Sequence, residues 1–318
     1  MEPIASQLSK AIEILNNDDV IAIPTETVYG LAGNIFSKKA IRKIFELKQR
    51  PLFNPLIVHI HSLAELNKIA LDVPKVAFLL ATKFWPGPLT ILLKKHPSVP
   101  SIVTSGKNTV AVRMPNHPLT LKLLQSLAYP LAAPSANPFG CISPTTAAHV
   151  AAYFKQDLPY ILDGGACEAG IESTIIGFEN EQAVLYRYGS ISVEEIELVC
   201  GKLKINISNE TAPDAPGMLS RHYAPNTKTF LTDDVEGLIS TFPGKKIGLL
   251  LFTQLKPELP AQHQEILSSS GDFKQAAANL YAALHRLDSS KLDFIIAEKL
   301  PNEGLGKTIN DRLERATK

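Results

Sequence analysis

Apolar residues recur along the chain at two spacings, and these spacings predict both helices and strands. Apolar positions three or four apart predict a helix over 4–15, and Ser37 is expected to cap the next helix, which extends to Leu47. Between them, the apolar run at 20–23 predicts a short buried strand that Pro24 ends. The same reasoning predicts helices at 62–69, 74–84, 118–127 and 193–199, and strands at 56–60, 89–93, 109–112 and near 131, 161, 174 and 184.

The order of these elements predicts an α/β fold in two domains. Several strands follow one another without a helix, which indicates a mixed sheet in a first domain over 1–204. Residues 205–227 are rich in Pro, Asn, Ser and Asp and lack apolar periodicity, so they are predicted to be a linker. Strands at 246–252 and 293–297 and helices at 273–287 and 305–315 then predict a small parallel-sheet domain over 228–318.

Composition excludes some classes of protein. With 32 Lys and Arg against 31 Asp and Glu, the net charge of +1 gives no reason to expect a surface that coats a polyanion. Three cysteines without a C-x-x-C pair argue against a disulfide framework and against a structural zinc site. No apolar run approaches membrane-spanning length and residues 1–10 lack a signal-peptide pattern, so we expect a cytoplasmic protein that contacts no membrane.

The familiar nucleotide motifs are incomplete. Residues 304–308 read Gly-Leu-Gly-Lys-Thr, but Pro301 stands where a P-loop needs its first glycine. No G-x-G-x-x-G follows a predicted strand, so the dinucleotide fingerprint is absent as well. His59 and His61 share a strand face, yet no cysteine or carboxylate cluster joins them as metal ligands.

Polar and cationic residues instead gather at predicted strand and helix ends. Lys48 and Arg50 close a helix, where they could cap its carbonyls or clamp a phosphate. Arg113 ends a strand, either as a solvated tip or as a bidentate partner for a carboxylate. We expect Arg50 to be an exposed cavity residue that contributes little to stability. Ser135 and Asn137 follow another apolar run, and together these groups suit an anionic ligand.

Five motifs resemble, in order and spacing, those of the YrdC-type L-threonylcarbamoyladenylate synthases. They are the segment 24–31, Lys48-Gln49-Arg50-Pro51, the segment 85–90 (Trp-Pro-Gly-Pro-Leu-Thr), Ser135-Ala136-Asn137 and Glu172-Ser173-Thr174. Pro216-Gly217-Met218 and the segment 221–225 are similar to the linker of the long, two-domain form of that family. The resemblance covers most of the chain.

The resemblance implies a twisted open mixed sheet with a concave, positive cavity, plus a smaller Rossmann-like C-terminal domain. It implies synthesis of L-threonylcarbamoyl-AMP from L-threonine, bicarbonate and ATP, with release of pyrophosphate and with Mg²⁺ held through the ATP phosphates. A separate tRNA threonylcarbamoyl transferase would use the product to form threonylcarbamoyladenosine at position 37 of tRNAs that read codons starting with A.

The resemblance also assigns residues. Lys48 and Arg50 are expected to act in catalysis by offsetting phosphate charge. Threonine is expected to contact Thr27, His59, Arg113, the backbone of Ala133, and Ser173. ATP is expected to contact Lys48, Arg50, Asn54, Thr109, Ser135, Asn137, Ser143 and Arg187. Arg221, His222 and Tyr223 are expected to form a lid over the cavity.

Two other interpretations stay open at this stage. One is an RNA-binding module that uses the cavity as a basic groove, although the chain lacks a basic excess and aromatic-interleaved basic motifs. The other is a carbamoyl-transferring enzyme built on the same domain. Such relatives carry acylphosphatase and zinc-finger segments, and the absence of a C-x-x-C pair argues against this alternative.

Overall fold

The larger of the two sheets in the computed structural model is mixed and open, as predicted. The structure describes residues 3–207, 215–219, 222–257 and 263–318. The strands of the larger sheet are β1 (Ile21–Ile23), β2 (Gly30–Asn34), β3 (Ile57–His59), β4 (Ala70–Leu71), β5 (Leu89–Lys95), β6 (Thr109–Arg113), β7 (Leu131–Ala132), β8 (Thr174–Glu179), β9 (Gln182–Arg187) and β10 (Lys204–Ile205). Their order is β1-β2-β7-β3-β6-β5-β8-β9-β10, with β4 paired to β5. The pairs β3/β6, β5/β8 and β9/β10 are parallel, and the others are antiparallel.

The helices of the first domain pack on this sheet. They are α1 (Ile4–Asn16), α2 (Lys38–Lys48), a 3-10 turn (Leu63–Glu65) that leads into α3 (Leu66–Ile69), α4 (Lys75–Phe84), α5 (Pro118–Gln125), α6 (Ala147–Phe154) and α7 (Val193–Cys200). The Ser37 hydroxyl accepts a hydrogen bond from the Ala40 amide and caps α2, as predicted. The Thr146 hydroxyl accepts a hydrogen bond from the His149 amide and caps α6.

The two faces of the larger sheet are covered differently. Side chains of α2, α4, α6 and α7 bury one face. On the other face, α1 and α5 cover the strands at the β1 end. Over the central strands, an apolar patch of Ile57, Leu92, Ala111, Ile175, Val184 and Tyr186 packs against Ala215 and Met218 of the linker. The linker therefore takes the place that a helix would otherwise occupy on this part of the sheet.

The second domain is a four-stranded parallel sheet with helices. Its elements are β11 (Thr229–Thr232), α8 (Val235–Ser240), β12 (Ile247–Leu251), β13 (Gln264–Ile266), α9 (Phe273–Ser289), β14 (Phe294–Glu298) and α10 (Gly304–Ala316), with strand order β11-β14-β12-β13. This agrees with the expected small parallel-sheet domain. Among the described residues, no helix combines the length and apolar character needed to cross a membrane.

The two domains share an apolar core. Val28, Ile142 and Ile171 of the first domain and Tyr223 of the linker are buried in one cluster with residues of α9 and α10. Gly170 permits this close approach. Its φ of +67° lies in the left-handed region, and a Cβ there would be 2.4 Å from the carbonyl oxygen of Ala278 on α9. The second domain thus packs directly on loops of the first.

Several elements differ from the predictions. No strand was predicted at 30–34, but Gly30 begins β2, which pairs with β1 and β7. Near residue 161, where a strand was predicted, there is a single bridge between Ile161 and Ala22. The predictions also omitted α6, α8, β4, β10, β11 and β13.

Candidate active site

A cavity of about 50 Å³ lies where the ends of β3, β6 and β9 meet the loops that follow β1 and β7. Its wall contains three arginines, several hydroxyls, one histidine of the sheet and four linker residues. The lining residues are Thr25, Thr27, Val28, Gly30, Arg50, Ile57, His59, Arg113, Ala133, Pro134, Ser135, Glu172, Ser173, Arg187, Pro216, Gly217, His222 and Tyr223.

His59 and Arg113 form one side of the cavity because they are register partners at the ends of the parallel strands β3 and β6. The Arg113 guanidinium lies 2.8 Å from a carboxylate oxygen of Glu26, and both side chains are buried. Burial, together with the charge of Arg113, lowers the pKa of His59 to about 3, so its imidazole is neutral at pH 7. Its Nδ1 lies 3.2 Å from the Ile57 carbonyl. A carbonyl only accepts, so Nδ1 carries the proton and Nε2 is an acceptor.

The loop after β1 is shaped by a threonine turn. The Thr25 hydroxyl accepts from the amides of Thr27 and Val28 and donates to the Val28 carbonyl at 2.7 Å. The two threonine hydroxyl oxygens are 2.8 Å apart. Pro24 ends the strand and Thr25 then fixes the turn, so the fully buried Thr27 side chain is held at the cavity wall.

Ser173 and Arg187 form the opposite wall. The Arg187 guanidinium donates to the Ser173 carbonyl and hydroxyl, with Nη2 at 2.9 Å from each oxygen. It also donates to the carbonyl of Pro216 in the linker at 3.2 Å. The hydroxyl of Thr90 on β5 lies 2.7 Å from the Ser173 hydroxyl. Ser173 is thus fixed from two strands, and Arg187 connects it to the linker.

Arg50 is buried, contrary to the expectation of an exposed side chain. Its Nη2 donates to the Asn54 side-chain oxygen at 2.7 Å and to the Pro55 carbonyl at 2.8 Å, and its Nε donates to the Asn54 carbonyl at 3.1 Å. Burial and the charge of Arg187 lower its pKa to about 9, which leaves it charged at pH 7. Asn54 thus stands behind Arg50 and orients it.

Lys48 does not line the cavity. Its ammonium donates to the carbonyls of Ser135 and Asn137 at 2.5 and 2.6 Å and so holds the loop that follows β7. Burial, together with the charge of Arg50, lowers the pKa of Lys48 well below its ordinary value. The structure therefore gives Lys48 the role of shaping the Ser135 loop, while Ser135 itself lines the cavity.

His222 and Tyr223, which are expected to belong to the lid, line the cavity, and Arg221 lies outside the described residues. Tyr223 has a φ of 63°, which is unusual for an aromatic residue. The Ala224 amide bonds the Gly140 carbonyl at 2.8 Å, and the His222 amide bonds the Arg315 carbonyl at 3.2 Å. These bonds hold the lid between a first-domain loop and α10.

The remaining predicted site residues lie behind the wall or beyond it. The Asn137 amide group donates to two carbonyls of its own loop, and the Ser143 hydroxyl donates to Glu172 at 2.6 Å. Thr109 begins β6, whereas Arg113 ends it, and Thr109 lines a neighbouring groove with Leu92 and Tyr186. The apolar patch under Ala215 and Met218 separates that groove from the cavity.

Sequence reasoning missed two buried carboxylates. Glu26 pairs with Arg113, and its other oxygen accepts from the Asn116 amide at 3.0 Å. Glu172 lies at the cavity wall and pairs with Arg312 of the second domain. The sequence offered one signal for these carboxylates, because Glu26 directly precedes Thr27 and Glu172 directly precedes Ser173, and both Thr27 and Ser173 are predicted site residues. In the described part of the chain, no group of three His, Cys, Asp or Glu side chains could hold a metal ion.

Fold and cavity together define a two-domain α/β protein with an arginine-lined cavity closed by residues of its interdomain linker. A family model described as telomere recombination, for the Sua5, YciO and YrdC proteins, matches residues 13–189. A second model, for the C-terminal domain of threonylcarbamoyl-AMP synthase, matches residues 191–317. The chain belongs to the Sua5/YciO/YrdC family and has the two-domain form, which confirms the resemblance.

Several similar proteins match nearly the whole chain. The threonylcarbamoyl-AMP synthase of Pyrococcus abyssi is 40% identical, over 96% of this chain and 93% of that protein. The threonylcarbamoyl-AMP synthase of Bacillus subtilis is 39% identical, over 98% of this chain and 92% of that protein. The crystal structure of P. abyssi Sua5 complexed with L-threonine superposes with a TM-score of 0.91 at 40% identity, covering 98% of this chain and 94% of that one.

Proposed function

We propose that this protein synthesises L-threonylcarbamoyl-AMP from L-threonine, bicarbonate and ATP, with release of pyrophosphate. The observation that carries the proposal is one cavity in which Arg113 and the neutral His59 face Arg50 and Arg187. That pairing suits an amino acid at one end and a polyphosphate at the other. The family relatives named for this activity, and the relative whose structure contains L-threonine, support the choice of substrate.

The Arg113 side accepts threonine. Glu26 fixes the guanidinium, so its planar fork is oriented before a substrate carboxylate arrives. The Nε2 atom of His59 is an acceptor for the ammonium or hydroxyl of threonine. Thr27 and Ser173 add hydroxyls, and the backbone of Ala133 completes the pocket. Burial of these groups makes each polar contact stronger than it would be in water.

The chemistry requires positioning and charge neutralisation more than a protein nucleophile. The threonine amine attacks the carbon of bicarbonate, a C–N bond forms, and water leaves to give a carbamate. A carbamate oxygen then attacks the α-phosphorus of ATP, and the bond to pyrophosphate breaks. Arg50 and Arg187 stabilise the negative charge on the phosphates, and the fixed walls hold the reacting groups together.

Mg²⁺ is expected to enter with the nucleotide. Glu172 at the cavity wall is paired with Arg312, and Glu26, which does not line the cavity, is paired with Arg113. The described cavity therefore fits a metal held by phosphate oxygens and water, and it offers no dedicated protein cage. Bound in that way, the ion would offset the charge of the triphosphate.

The linker has to move for ATP to bind. A cavity of about 50 Å³ is far smaller than the several hundred Å³ typical of sites for small organic ligands. Displacement of Ala215 and Met218 would uncover the apolar patch and join the cavity to the groove at Thr109. Closure afterwards would keep water from a labile mixed anhydride until a separate transferase takes the product for tRNA modification.

The test is pyrophosphate release from ATP, with threonine and bicarbonate omitted in turn, and mass spectrometry of the product. Release that requires both, with a carbamoylated threonyl adenylate, is the expected result. Arg113→Ala should abolish it, whereas the matched variant Arg42→Ala, which changes an exposed arginine of α2, should not. Release independent of threonine would indicate another acceptor. No release, together with strongly salt-dependent RNA binding, would favour the RNA-binding module.

A further inference from the structure

One buried carboxylate of the cavity wall is bonded by side chains of the second domain. Glu172 lines the cavity, and its two oxygens receive three side-chain donors. The Ser143 hydroxyl donates to Oε1 at 2.6 Å, whereas the Tyr281 hydroxyl of α9 and the Arg312 Nε of α10 donate to Oε2 at 2.8 and 2.9 Å. Two of the three donors thus come from the C-terminal domain.

Arg312 contacts three separate segments with one side chain. Besides Glu172, its Nη2 donates to the carbonyl of Tyr188 just after β9, at 2.6 Å. Its guanidinium lies 4.8 Å from the centre of the Tyr223 ring in the lid. Asp311 supplies a second carboxylate to Nη1. Only 1% of the side chain is exposed, so these contacts are made out of water, where they are strong.

We propose that Arg312 is a positioning residue for the reaction, through which the C-terminal domain holds Glu172 and the Tyr223 ring in their working places. This inference rests on the proposed function. Glu172 in turn fixes Ser143, which is expected to contact ATP, and directly precedes Ser173, which is expected to contact threonine. Arg312 itself does not line the cavity and acts through these neighbours.

The charge balance explains why the position matters. A buried carboxylate that loses its cation attracts the next one available. For Glu172 that cation is Arg187, whose charge already acts on it. Arg187 would then leave the Ser173 and Pro216 oxygens that it now binds. One change in the second domain would therefore disturb the phosphate side, the threonine side and the linker together.

The experiment compares Arg312→Met, Glu172→Gln and the double variant in the full-length chain, with kcat and KM measured for threonine and ATP. Each single variant is expected to lower kcat/KM by about 10²-fold, the order of loss when a change away from the chemistry misplaces the reacting groups by about 1 Å. The double variant should be no worse than either single variant, because the two residues act as one unit. Arg312→Lys, which retains the charge, should recover part of the loss.

Leu313→Ala is the matched control for stability. Leu313 is the neighbouring residue of α10 and is fully buried in the core shared by both domains. The control should lower the Tm but leave kcat and both KM values within about twofold. If Arg312→Met also lowers the Tm and leaves kcat and both KM values within about twofold, Arg312 has only a structural role and the inference is wrong.

Two further outcomes separate the inference from the proposed function. Multiplicative losses in the double variant, about 10⁴-fold, would show that Arg312 does not act through Glu172 and would overturn the inference alone. Absence of product with the unaltered chain would overturn the proposed function, and the inference with it. If Arg312→Met does not fold, Arg312→Lys and the double variant, which removes both charges of the Glu172–Arg312 pair, supply the same comparison.

Discussion

Replacing Arg50 by alanine should damage both the fold and the activity. The side chain is 7% exposed and donates three hydrogen bonds to Asn54 and Pro55. A hydrogen bond from a charged donor contributes about 1.5–3 kcal/mol. Removing the side chain also eliminates the free-energy cost of burying its guanidinium, which offsets part of the lost hydrogen-bond stabilisation. We expect a net destabilisation of about 3 kcal/mol.

That destabilisation converts to a measurable shift in Tm. At about 2–4 °C per kcal/mol for a domain near 200 residues, the Tm should fall by roughly 6–12 °C. Thermal unfolding by circular dichroism measures this, and pyrophosphate release at a temperature well below the transition measures activity. Arg42→Ala, on the exposed face of the same helix region, serves as the control and should change neither quantity.

The two readouts test different parts of the reasoning. A Tm for Arg50→Ala within 2 °C of the parent would mean that the buried hydrogen bonds contribute little, contrary to the magnitude above (about 2 °C is the smallest shift that one kcal/mol produces). Unchanged activity would instead contradict the assignment of Arg50 to the phosphate end of the cavity. Arg50→Lys should retain the charge but lose the fork geometry, so it should recover stability only in part.

Three other perturbations follow from the structure. Gly217 has a φ of +90°, and a Cβ there would lie 2.7 Å from Arg187 Cδ. Gly217→Ala should therefore displace the linker, make it susceptible to proteolysis and lower activity. A linker that resists proteolysis in this variant would contradict the prediction. Lys48→Met removes the ammonium that donates to two loop carbonyls. It should raise the KM for ATP and lower the free energy of unfolding, measured in urea, by about 2–4 kcal/mol. A change in kcat alone would indicate that Lys48 acts directly in catalysis. His149 stacks on His285 with ring centres 3.8 Å apart, and burial lowers its pKa to about 4. Below about pH 6.5 the His149 imidazole binds a proton in the unfolded chain but not in the folded chain, so the free energy of unfolding decreases as pH falls from 6.5 to 4. His149→Phe should reduce the dependence of this free energy on pH by up to about 1.4 kcal/mol per pH unit. An unchanged pH dependence would refute the lowered pKa of His149.

The sequence pattern predicts most of the first domain because its elements are continuous apolar runs. The strands around Ile57 and Val110 and the capped helix after Ser37 are confirmed. The strand Gly30–Asn34 was not predicted, because its sequence contains two glycines and little β-branched character. It forms a strand because β1 and β7 pair with it on both sides, and such tertiary pairing has no local signal.

The candidate site was predictable where a residue ends a strand. Arg113 and His59 follow that rule, and the structure brings them side by side. The partners that hold the site were not predictable, because they come from distant parts of the chain. Arg312 lies 140 residues from Glu172, and no periodicity or motif connects the two positions. The role of Lys48 as a support for a loop likewise depends on tertiary packing.

The linker segment that covers the apolar patch occupies space that a large ligand would need, so the linker and the ligand compete for the same site. Any molecule larger than the enclosed space binds only the fraction of chains in which Ala215 and Met218 have left the sheet. If that fraction were about 1%, the apparent Kd would be about 100-fold weaker than the intrinsic one. A cut in the linker would remove this competition, so a nicked chain should bind nucleotide more tightly and yet retain its product less well. Affinity and retention would then be set by the same few side chains, in opposite directions.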